Sequence, residues 1–128
     1  MIDFKSSELI FKSESVSVLL ITSSQIADDI DSIRCSIQWT ATGIGNVQTE
    51  GFFFRTDLVR FQRELDGICK DFKGETELNS VEEDIKISVN YEALHVRVTG
   101  FLTIPNSLGI LEFSFESDPS FQPGRWTE

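Results

Sequence analysis

The chain is poor in the residues that carry most enzyme and metal chemistry. One histidine, His95, and two cysteines, Cys35 and Cys69, stand among 128 residues. A lone histidine excludes a multi-histidine metal site. Both cysteines fall on apolar positions of their segments, so no zinc constellation remains and no metal site is expected. Phosphate loops and the GxSxG and HExxH signatures are also missing; GIGN, at 43–46, is too short to cradle phosphate and opens no helix. No cofactor is implied.

Positive charge is scarce as well. Eleven Lys and Arg face 21 Asp and Glu, a formal net charge of −10. Such a field repels nucleic acid and anionic membranes and draws basic partners inward. No basic stripe is visible, so direct nucleic-acid binding is disfavoured. Long apolar runs are absent too: VSVLLIT, residues 16–22, is too short for a signal core or a membrane span. No basic segment followed by an apolar block opens the chain, and a cytosolic protein is expected. Without a secretory context, a Cys35–Cys69 disulfide is not expected.

What is present reads as an ordinary globular chain, 40% hydrophobic and 25% charged, with eleven Phe mostly in alternating runs. Residues 1–128 are expected to form one domain. The organising stretch is Phe52–Glu83. Within it Leu58, Phe61, Leu65, Ile68, Cys69 and Phe72 recur at helical spacing and form one apolar stripe. The spacing predicts a helix over Asp57–Lys73, capped by Thr56 or Asp57 and stopped at Gly74. Arg60 with Glu64, and Asp66 with Lys70, are set to pair across its outer face. Gly67 lies opposite the stripe, where packing does not demand it, so either a close partner contact or drift accounts for it.

Strand patterns flank the helix on both sides. Leu9–Phe11 and Val16–Ile21 precede a clean alternation in which Ile33, Cys35, Ile37, Trp39 and Ala41 share one face. TGIGN signals a hairpin into a strand from Val47 to Arg55. After the helix come a polar edge strand anchored by Leu78 and alternating strands through Ile85–Tyr91, Leu94–Val98 and Leu111–Phe115. Consecutive strands favour antiparallel pairing. The fold class expected is α+β, a curved antiparallel sheet of seven to eight strands packed on a single helix. A catalytic cysteine would need His95 beside it, yet alternation puts His95 on the face opposite the core. Glu112 and Glu116 share a face with Lys86 and Arg97, which suits cross-strand salt pairing. No enzyme activity is expected.

Two acidic clusters fall between strands: Asp28, Asp29 and Asp31, and Glu82, Glu83 and Asp84. Their plain reading is solvated loop. Their functional reading is partner binding, because loop carboxylates reach a partner without disturbing a sheet. The aromatic tail at Phe121 and Trp126, and the helix at Gly67, are the other surfaces to weigh.

Four runs, TDLVRFQREL, FKGETELNSVEEDIKISV, HVRVTGFL and LEFSFESD, carry a resemblance. Asp57, Leu58, Phe61, Glu64 and Leu65, then Gly74, Glu75, Leu78, Ser80 and Glu82, then His95, Val96, Val98 and Gly100, then Leu111, Phe113, Phe115 and Asp118 match a common layout. Over about residues 50 to 118 the chain resembles the bacterial WapI-like immunity proteins. The resemblance implies a non-catalytic protein that binds and neutralises a cognate secreted toxin domain, often a nuclease. A basic toxin would suit so acidic a chain. A small regulatory or scaffold module, or a small-molecule binder using space between helix and sheet, are the alternatives. Oligomeric state is not legible.

Overall fold

A computed structural model of the chain describes residues 8–26, 32–92, 95–105 and 109–117. Its elements run β1 (Glu8–Lys12), β2 (Val16–Ile26), β3 (Ser32–Ala41), β4 (Gly45–Phe54), α1 (Arg55–Asp71), β5 (Gly74–Asn79), β6 (Ile85–Glu92), β7 (His95–Thr103) and β8 (Ile110–Ser117). All strand pairing is antiparallel, as the short connections require.

The single curved sheet expected from the sequence is instead two four-stranded sheets, ordered β1-β2-β3-β4 and β5-β6-β7-β8. The helix is the reason. It follows β4 without a break and returns the chain into β5, so these two strands never pair. The β4 edge is met instead by the loop after β5, where the Val81 N–H donates to the Phe52 carbonyl at 2.8 Å. At the opposite seam the Ser117 hydroxyl donates to the Lys12 carbonyl at 3.3 Å. Each sheet turns its apolar parity inward, and one core unites them. Phe11, Leu20, Ile37 and Phe53 from the first sheet share it with Ile85, Ile87, Val98 and Leu102 from the second. With a single helix beside eight strands among the described residues, the apolar faces are covered largely sheet against sheet.

Helix α1 packs chiefly on β5 and buries Leu58, Phe61, Leu65 and Ile68. Its ends lie two residues earlier than the spacing predicts. At the start neither Thr56 nor Asp57 caps it. Extended Phe54 holds the N-cap position with no side-chain bond, and Asp57 supplies a negative charge in the first turn. At the end Phe72 turns left-handed (φ 57°, ψ 28°) and its N–H bonds the Ile68 carbonyl at 2.9 Å. Pairing of β5 with β6 begins at Gly74 opposite Tyr91, so the chain must already have reversed. Phe72 therefore leaves the apolar stripe. It is exposed, with its ring edge-on to Tyr91 at 6.1 Å.

Smaller expectations also shift. Cys35 is fully buried, but Cys69 sits at the margin of the stripe and is only half-buried; both are free thiols. Leu78 is not a lone anchor, since Thr76 is buried beside it. Gln62 is buried on the helix, and its Oε1 has no hydrogen-bond partner among the described residues. Arg60 pairs with Glu64 at 2.8 Å as expected, whereas no ion pair joins Asp66 to Lys70. No helix among the described residues is long and apolar enough to cross a membrane.

Candidate functional site

The β5–β6 loop is built around one hydroxyl. Ser80 Oγ donates to Asp84 Oδ1 at 2.6 Å and accepts the N–H groups of Asp84 (3.0 Å) and Ile85 (3.1 Å). Main-chain bonds close the same loop: Glu83 N–H to the Ser80 carbonyl at 3.0 Å, and Ser80 N–H to the Ile85 carbonyl at 3.0 Å. From β7, Thr103 sends both its N–H and its hydroxyl to the Asp84 carbonyl. Asp84 is therefore a structural member of the loop. Its carboxylate already has an internal donor.

Glu82 and Glu83 differ from it. Both are exposed, and neither carboxylate has a hydrogen-bond or ion-pair partner among the described residues. Glu83 sits at φ 59° to make the turn. The acidic cluster of the sequence thus divides into two presented carboxylates and one internal strut. Asp28, Asp29 and Asp31 lie outside the described residues, as do Phe121 and Trp126.

Next to this loop the outer face of β4 carries residues that charge patterning alone passes over. Period two turns Phe53 into the core and sets Glu50, Phe52 and Phe54 outward. Phe52 is 38% exposed, Phe54 43% and the adjoining Val81 39%. Arg34, opposite Phe52 on β3, lays its guanidinium 5.5 Å from that ring's centroid. The signal was available in the sequence: three consecutive phenylalanines on a strand must turn alternate rings outward.

A second concave region lies beside the helix, over β5 and the outer face of the second sheet, with a volume of about 590 Å³. Arg60, Glu64, Glu75, Asn90, Arg97 and Thr99 line it. The cations there are already engaged. Arg60 bonds Glu64 and, at 2.8 Å, the Glu77 carbonyl; Thr76 also donates its hydroxyl to Glu64; and Arg97 donates to the Ser114 hydroxyl at 3.1 Å. Salt pairing on this face differs from the expected partners. Lys86 joins Glu77 at 3.3 Å and His95 Nδ1 meets Glu116 at 2.5 Å, so Glu112 pairs with neither Lys86 nor Arg97. Glu112 stands opposite Phe101 and Lys86 reaches back toward β5; Arg97 stands opposite Glu116, yet Glu116 meets His95 and Arg97 bonds Ser114 instead.

Burial pushes the Cys35 thiol up to about 12, which keeps it protonated and unreactive. Cys69 is raised by burial and by the nearby Asp66 carboxylate. His95 lies on the outer face of β7, where the sequence alternation places it. No group of three or more metal-ligating side chains occurs among the described residues.

Comparison with protein-family models, with characterised proteins and with solved structures finds no match.

Proposed function

We propose that this chain is an immunity protein, a non-catalytic inhibitor that binds and neutralises a basic toxin domain, as its resemblance to WapI-like immunity proteins implies. The observation that supports this most is the Ser80-centred loop, which spends one carboxylate on its own rigidity and presents Glu82 and Glu83 with no partner among the described residues. Carboxylates held this way accelerate encounter with a positively charged protein, and the formal charge of −10 extends the pull beyond the loop.

This reading predicts a toxin domain encoded beside this gene, and the test uses that domain. Co-expression of the chain should restore growth of cells producing that domain. In vitro, the double substitution Glu82→Gln with Glu83→Gln should slow association several-fold at low salt and flatten its salt dependence. Asp84 is left in place, since it serves the loop. Failure of the wild-type chain to bind or protect would end this reading.

A further inference from the structure

We infer that the partner docks on the outer face of β4, with Phe52, Phe54 and Val81 as apolar anchors and Glu50, Glu82 and Glu83 as the rim, and that the occupant is a basic polypeptide surface presenting an apolar side chain. This rests on the protein-binding reading above and gives it a face and a partner chemistry.

The anchors form one patch. Phe52 and Phe54 are successive outward residues of a single strand, and Val81 is tied to the Phe52 carbonyl by its own N–H at 2.8 Å. Scattered exposed apolar residues need no explanation, whereas a contiguous group rimmed by charge marks an interaction surface. The platform beneath is stiff. A β-carbon on Gly51, between Glu50 and Phe52, would stand 2.7 Å from Ile85 Cδ1, so β4 is seated hard against the second sheet. Ser80 braces the adjoining loop through three hydrogen bonds. Rigid aromatic anchors lose little side-chain freedom on binding, which is why such rings dominate interface energetics.

Charge selects the occupant. Among the described residues, the carboxylates of Glu50, Glu82 and Glu83 are exposed beside the patch; of the nearby cations, Arg34 is turned onto the Phe52 ring and Arg55, which follows Phe54, is half-buried. An acidic or neutral surface closing over the patch would strip water from Glu50, Glu82 and Glu83 without replacing it. Lysine or arginine around an apolar side chain would satisfy them. The outer face of the second sheet is a weaker candidate, because Lys86, His95 and Arg97 already have partners.

The experiment measures binding of the purified basic toxin domain that the proposed function predicts beside this gene. Phe52→Ser with Phe54→Ser should weaken Kd by about 30-fold or more, mainly through faster dissociation, as for central anchors. Glu82→Gln with Glu83→Gln should act mainly on association. Hydrogen exchange on the wild-type complex supplies a readout independent of variant folding, with slower exchange than in the free protein expected over 50–54 and 80–84. A double phenylalanine variant within about threefold of wild type, with exchange in those segments unchanged, would overturn the docking face while leaving the binding reading intact. Concentration-dependent self-association that adds protection to the same segments would assign the patch to a second copy and overturn the basic partner. No wild-type binding at all removes the reading and the inference together.

Discussion

Gly100 and Gly67 show how differently one residue type is used. At Gly100 a β-carbon would stand 1.9 Å from the Lys86 carbonyl oxygen and 2.8 Å from the Phe113 ring. Gly100 is paired on both sides, to Ile87 and to Phe113, so the obstructing backbone cannot step aside. Gly100→Ala is expected to cost at least about 2 kcal/mol in urea denaturation. At Gly67 an added β-carbon meets nothing within 4 Å, in the interior of a helix. There Gly67→Ala should stabilise by about 0.5–1 kcal/mol, since it restricts the unfolded chain without a clash. Equal effects of the two substitutions would contradict the packing described at both sites.

At the scale of an element, the Ser80–Asp84 loop separates the residues that hold it from those it displays. Ser80→Ala removes the acceptor of two main-chain N–H groups, one of them on fully buried Ile85, and the donor to Asp84. A cost of about 1–3 kcal/mol is expected, because buried donors are left unpaired. The double substitution of Glu82 and Glu83 by Gln should shift the denaturation midpoint little, since exposed charges contribute little to stability. Thermal or urea melts of the two variants check the division. A Ser80→Ala protein as stable as wild type would mean that the loop is held by its main-chain bonds alone. The helix boundaries obey the same kind of non-local demand, for α1 stops at Phe72 because β5 must meet Tyr91 two residues later.

For the molecule as a whole, Cys35 reports on the shared core. Its thiol is pushed up to about 12 from an ordinary value of 9.0 because burial disfavours the thiolate. A group raised on folding adds stability that is fully present below the unfolded value. That stability is lost as pH rises through the folded one. The Cys35 contribution should therefore hold below about pH 9 and vanish toward pH 12, and Cys35→Ala should show a shallower decline over that window. Native thiol labelling should reach half-buried Cys69 first, with Cys35 reacting only as the far-UV signal of both sheets is lost. Cys35 labelling well before that loss would show the first sheet opening independently of the second.

Local periodicity made the strands and the helix readable. Alternation through Ile33–Ala41 or Ile85–Tyr91, and helical spacing from Leu58 to Ile68, depend only on near neighbours in the chain, and the structure places strands and helix there. The same rule set His95 outward and Cys35 inward. Composition likewise carried the charge of −10. What tertiary structure alone decided involves residues far apart in sequence. Val81 donating to Phe52, and Ser117 to Lys12, mark the seams that make two sheets instead of one. Ser80 and Thr103 together turned Asp84 into a strut while Glu82 and Glu83 were left exposed, although all three are alike as sequence. Periodicity says which face a side chain takes; only the long-range hydrogen bonds say what that face meets.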